Sequence, residues 1–143
     1  MRVAEIMQTD LVTCHPTATV VEAARVMHER TVGAVLVMEG ATLAGIFTER
    51  DLVRLLAEGE DVRARPVSAV MTRGVVMAPP DADVLWAADA MKQRRIRHLP
   101  VGEQGMVVGI VSVRDLFILA EAMLRLDPNA AEQARSVLSA ARP

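Results

Sequence analysis

A chain of 143 residues, 52% hydrophobic and with a formal net charge of −2, is long enough to bury a core and too apolar to remain disordered. The near-neutral charge and the scarcity of rings (Phe47, Trp86 and Phe117 alone) argue against nucleic acid as a partner, because neither a strongly basic surface nor a stacking platform can be assembled. A single cysteine, Cys14, excludes an internal disulfide, no apolar run reaches the length of a membrane span, and residues 1–6 lack a signal-peptide core; a cytoplasmic protein away from the membrane is expected.

In chain order, residues 11–13 form a short extended segment ended by Pro16. Thr19-Val20-Val21-Glu22 is a capping box, in which a hydroxyl and a carboxylate satisfy the first free amides of a helix. That helix runs to about Arg30 with Val20, Ala23, Ala24 and Met27 on one face, and Gly33 breaks its pattern. Residues 34–38 read as a buried strand, Glu39-Gly40 as a turn and residues 43–47 as a second strand. Thr48-Glu49-Arg50-Asp51 opens a helix to about Glu58, and a polar linker occupies 59–66.

The order then starts again. At an offset of 64 residues Met7 matches Met71, Pro16 matches Pro80, Ala23-Ala24 match Ala87-Ala88, and Met27 matches Met91. Gly45-Ile46 match Gly109-Ile110, and Arg50-Asp51-Leu52 match Arg114-Asp115-Leu116. The second copy predicts a strand near Val75, a helix over 83–94, strands at 99–101 and 106–111, and a helix from about Arg114. A unit this small cannot cover its own apolar face, so the copies are expected to pack on each other. The organisation is repeat one at 3–58, linker 59–66, repeat two at 67–122 and a helical tail at 127–143. The expected fold class is α/β (α+β): two β-α-β-β-α repeats related by a pseudo-two-fold axis, plus a C-terminal helix.

The chemistry is concentrated in Gly45-Ile46-Phe47-Thr48-Glu49-Arg50-Asp51 and Gly109-Ile110-Val111-Ser112-Val113-Arg114-Asp115. A hydroxyl at a strand end followed three residues later by a carboxylate makes a capping box. The same geometry offers a phosphate free amides and the positive end of a helix dipole, and offers a ribose a carboxylate acceptor. Spacing alone leaves both readings open. The basic run from Lys92 to His98 is either a solvated helix C-terminus or a place where Arg97 and His98 meet a phosphate. His15, His28 and His98 match no metal spacing, and Cys14 reads as a small buried hydrophobe. No nucleophile–base pair or glycine-rich phosphate loop is present, so no enzyme activity is expected.

Taken together, Ile6-Met7, Pro16 to Val20, Val32 to Val37, Gly45 to Asp51, Val70-Met71-Thr72, Ile96 to Val101 and Gly109 to Asp115 resemble a tandem CBS domain pair, or Bateman module, over roughly residues 3–122. The resemblance implies a free-standing regulatory module without a cofactor. Its two clefts would bind an adenine ligand: AMP, ADP, ATP or S-adenosylmethionine. It implies one cleft built from Ile46, Thr48, Arg50, Asp51, Val76, Ile96, Arg97 and His98, and another from Val12, Val32, Gly33, Ala34, Ile110, Ser112, Arg114 and Asp115. With Arg97 counted in the first, phosphorylated ligands are expected to prefer the Asp51 cleft. Partners implied are a second copy of the chain, in a homodimer, and an unidentified regulated protein. The alternative is an interaction module without a ligand, in which both aspartates only cap helices.

Overall fold

The computed structural model describes residues 1–127 and 129–141. Repeat one contributes β1 (Thr13–Cys14), α1 (Val20–Arg30), β2 (Ala34–Glu39), β3 (Thr42–Thr48) and α2 (Glu49–Ala57). Repeat two contributes α3 (Val84–Arg94), β4 (His98–Glu103), β5 (Met106–Ser112) and α4 (Val113–Leu126), and α5 (Ala130–Ala141) follows. The fold is α+β with the expected helices and one sheet in the order β1-β2-β3-β5-β4. Its two hairpins, β2–β3 and β4–β5, are antiparallel, and they join only at Thr42 and Met106.

Each central strand is apolar on both faces, as a strand covered from two sides must be. Val35, Val37 and Phe47 face α1 and α2, packing on Val20, Ala23, Met27 and Leu55. Leu99, Val101 and Val111 pack likewise on Ala87 and Met91 of α3. The opposite faces meet: Ala34, Leu36 and Ile46 pack with Ile110 and Val107 of repeat two. The core is therefore three layers, with the repeats joined through the middle one.

The copies also exchange their leading segments. A 3-10 turn at Val3–Glu5 lies on repeat two, where the Val3 amide donates to the Ala82 carbonyl at 2.8 Å and the Val3 side chain is buried against Leu99 and Val101. A matching turn at Val67–Ala69 lies on repeat one, with the Val67 amide on the Ala18 carbonyl at 2.7 Å. Gln8 bridges Ile110 while Thr72 bridges Ile46, and both pairs differ by the repeat offset. These crossed pairs express the pseudo-two-fold relation at the level of single hydrogen bonds.

One expectation is corrected. The first strand is only Thr13–Cys14, and its counterpart near Val75 is reduced to one bridge from Ala78 to Val101, because Pro79 and Pro80 follow and cannot donate to a ladder. Helix α1 ends at Arg30 as expected and is closed by Thr31 at φ 53°, and Arg95 adopts φ 56° at the matching end of α3. Helix α4 is apolar on most sides, and its Phe117, Ile118 and Leu126 remain exposed with α5 in place.

Candidate functional site

The two strand-to-helix junctions are built alike. Thr48 caps α2: its amide and hydroxyl lie 2.9 and 3.0 Å from Asp51 Oδ2, and the Asp51 amide returns a bond to Thr48 Oγ1. Ser112 caps α4 in the same way, with its amide and hydroxyl 2.7 and 3.0 Å from Asp115 Oδ2. Each helix also places its first amide on the turn of its own repeat, Glu49 N on the Gly33 carbonyl and Val113 N on the Arg97 carbonyl. One carboxylate oxygen is thus spent on capping in both repeats.

The other oxygen differs. Asp51 Oδ1 lies 3.8 Å from the Arg54 guanidinium. Asp115 has no such partner on α4, since Ile118 holds the position matching Arg54, and its Oδ1 accepts a 3.2 Å bond from the Gln8 amide. A neutral amide on an exposed segment yields to a competing donor more readily than a guanidinium one turn away.

A cavity of about 1140 Å³ opens at the Asp115 junction, large enough for a nucleotide. All eight residues of the expected second cleft line it: Val12, Val32, Gly33, Ala34, Ile110, Ser112, Arg114 and Asp115. Leu36 and Ala34 floor it from the inter-repeat layer, and Phe117 and Ile118 of α4 edge it. The sequence reading missed Gln8, Asp10, His28, Arg30, Thr31 and Glu49, which also line it. The only sequence signal for Gln8 was its place beside Met7, which has a counterpart in Met71, whereas Gln8 itself is matched by Thr72.

The expected first cleft is not gathered in the same way. Arg97 and His98, grouped with Asp51 from sequence, line the Asp115 cavity. The reason is the crossing at the axis, where the two helix-to-strand turns touch. A Cβ on Gly33 would stand 3.3 Å from His98 Cε1 and 3.4 Å from Glu49 Oε2. Arg97, the cation on which the phosphate preference expected for the Asp51 side rested, thus lies on the wall of the Asp115 cavity. Arg50 donates to the Arg95 carbonyl at 2.8 Å, across from repeat one to the end of α3. Ile46 is buried in the inter-repeat layer, Val76 and Ile96 pack on the core of repeat two, and Thr48 and Asp51 remain in their cap.

The cavity is electrically mixed. Arg30 is held by Asp10 at 2.7 Å, while Arg97 and Arg114 are further cations on its wall. Burial holds the His98 imidazole below its ordinary range, against the opposing pull of Glu49, so the ring is neutral at neutral pH. Among the described residues no set of side chains could hold a metal ion, and no helix is long and apolar enough to cross a membrane.

A duplicated unit, crossed leading turns and twin capped carboxylates define a tandem-repeat module. The CBS domain family matches residues 3–58 and 67–121, and the chain belongs to that family as a tandem pair. It is 38% identical over 117 residues to CBS domain-containing protein YhcV of Bacillus subtilis, covering 81% of this chain and 83% of that protein. Among solved structures, it resembles CBS domain protein PAE2072 from Pyrobaculum aerophilum complexed with AMP, at TM-score 0.75 and 27% identity, covering 81% of this chain and 90% of that one. It also resembles the CBS domain pair of protein MJ0100 in complex with 5′-methylthioadenosine and S-adenosyl-L-methionine, at TM-score 0.79 and 26% identity, covering 86% and 98%.

Proposed function

We propose that the protein is a regulatory sensor of an adenine nucleotide, bound in the Asp115 cavity. The observation that carries this reading is the cavity itself: it joins a carboxylate with a lightly held oxygen to an apolar floor and two arginines. Asp115 Oδ1 accepts from ribose hydroxyls once Gln8 turns away, the base lies on Ala34, Leu36 and Ile110, and Arg97 and Arg114 meet phosphate oxygens. Relatives crystallised with AMP or with S-adenosyl-L-methionine support an adenine ligand of this class. The Asp51 side is a weaker site or a cap alone, because Arg54 already neutralises the carboxylate.

Occupancy acts on other chains rather than on a reaction. Ligand binding biases the arrangement of the repeats and of a homodimer, by as much as its affinities for the two arrangements differ. A regulated protein then reads that arrangement in the cytoplasm.

The test is calorimetry with AMP, ADP, ATP, S-adenosylmethionine and adenosine on wild type, D51N and D115N. Both substitutions keep a capping oxygen and lose the charge, so similar small losses of unliganded stability are expected. Loss of a charged hydrogen bond of about 1.5–3 kcal/mol lowers affinity about ten- to hundredfold in D115N, and D51N stays close to wild type. Undiminished binding in D115N, or no binding of any adenine ligand, overturns the reading.

A further inference from the structure

The Asp115 cavity contains a group that its nucleotide-binding role does not require. His98 begins β4, pairs with Ser112 across the hairpin, and turns its ring toward the Gly33 backbone of the other repeat. Gly33 leaves room for this: a side chain there would touch Cε1 and Nε2 of the ring. The Glu49 carboxylate, from the first turn of α2, converges on the same point. The ring therefore stands on the cavity wall where both repeats meet, among groups of opposite sign.

We propose that His98 takes up a proton as a phosphorylated ligand enters this cavity, making the sensor's affinity for phosphorylated ligands depend on pH. The inference rests on the nucleotide-sensor reading above. The charged groups around the ring are Glu49 from α2, Asp115 from α4 and Arg97 from its own turn. Further along the wall are Arg114, His28 and the mutually paired Asp10 and Arg30. In the free protein, burial and Arg97 favour the neutral ring, and Glu49 and Asp115 oppose them. Burial is the largest of these causes, and the acidic groups work against it. A phosphate adds up to two negative charges, and Asp115 keeps its charge when it accepts from ribose. Negative charge nearby favours imidazolium, so the bound state holds more protons than the free one.

The sign follows from linkage: if the complex binds more protons, affinity rises as pH falls through the bound-state titration. The phosphate's own second ionisation near pH 6 works in the other direction, by removing ligand charge. The two causes are therefore separable. The effect also requires phosphate, so adenosine shows none of it.

The experiment measures AMP and adenosine by calorimetry at about pH 8 and about pH 6.5, in buffers of differing ionisation enthalpy. Wild type is expected to gain about three- to tenfold in AMP affinity at the lower pH and to take up a fraction of a proton, with neither effect for adenosine. H98Q is expected to lose the proton uptake. H15Q, changed at an exposed histidine outside the cavity, is expected to keep it. Because H98Q alters a half-buried position, the His98 ring is also followed by NMR in wild type, with and without AMP; its titration is expected to move upward on binding. AMP binding without proton uptake, uptake that survives in H98Q or vanishes in H15Q, or an unmoved His98 titration overturns the inference and leaves the sensor reading standing. No binding of any adenine ligand overturns both.

Discussion

At the scale of single residues, the two repeats diverge where they were duplicated most closely. Asp51 and Asp115 occupy equal positions and make equal caps, but Arg54 and Ile118 follow them and give the spare oxygens different surroundings. Gly33 and Arg97 also correspond, and the glycine is what lets His98 of the other repeat lie against the backbone. The half-buried ring has a consequence for the unliganded protein. Its folded-state value is lowered, so the unfolded chain binds more protons as pH falls below the ordinary histidine value of 6.5. The stability His98 contributes is complete above that value and is lost as pH falls toward the folded one. Denaturation midpoints of wild type and H98Q, measured across this window, are expected to converge or cross toward low pH; a constant difference would contradict it. The caps were legible in the sequence because hydroxyl and carboxylate lie three residues apart. The meeting of His98 with Gly33 was not, because 65 positions separate them and only the turn-to-turn contact brings them together.

At the scale of elements, periodicity located every principal helix and both hairpins, since burial on one helix face or both strand faces leaves a direct trace in composition. It failed where the backbone, not the side chains, sets the structure: the shortened first strands and the 3-10 turns carry no apolar period. The repeated Gly45 and Gly109 belong to this second kind of information. The Ile46 amide and carbonyl bond to Thr72, which brings the Thr72 carbonyl to 2.7 Å and Met71 Sδ to 2.6 Å from where a Gly45 Cβ would be. At Gly109 the corresponding carbonyl, Gln8 O, is 3.1 Å away and the Met7 sulfur 2.5 Å. A thioether can move aside and a paired carbonyl cannot. Overpacking costs about 1–3 kcal/mol, and Gly45→Ala is expected to lie at the upper end with Gly109→Ala below it, as read by urea denaturation. Equal and negligible costs would show that the crossed bridges give way freely.

At the scale of the whole molecule, the chain leaves more apolar helix surface uncovered than one domain needs. Leu85 and Trp86 of α3, Phe117 and Ile118 of α4, and Val53 and Leu56 of α2 are all exposed. Helix α5 does not cover the α4 group, which also edges the Asp115 cavity. A second copy is the occupant proposed for these faces, and light scattering at tens of micromolar protein is expected to give twice the 15.5 kDa chain mass. Replacing Phe117 by Glu is expected to shift that mass toward the monomer while the unfolding transition stays cooperative. A monomeric wild type would leave these helices for another partner.

The exchanged leading turns reach beyond stability, into the order in which the chain acquires its shape. Val3 and Gln8 precede the first strand of repeat one in the chain, yet their seats are Ala82, Leu99 and Ile110. Repeat one closes sooner, because Val67 and Thr72 complete it while most of repeat two is still inside the synthesis machinery. The Val3–Glu5 turn is seated only when the strands of repeat two have followed, so the segment ahead of β1 is fastened after the rest of repeat one is complete. Equally, two fragments cut within residues 59–66 each carry the segment that completes the other, so the halves are expected to reassociate when mixed, as read by recovery of a cooperative unfolding transition.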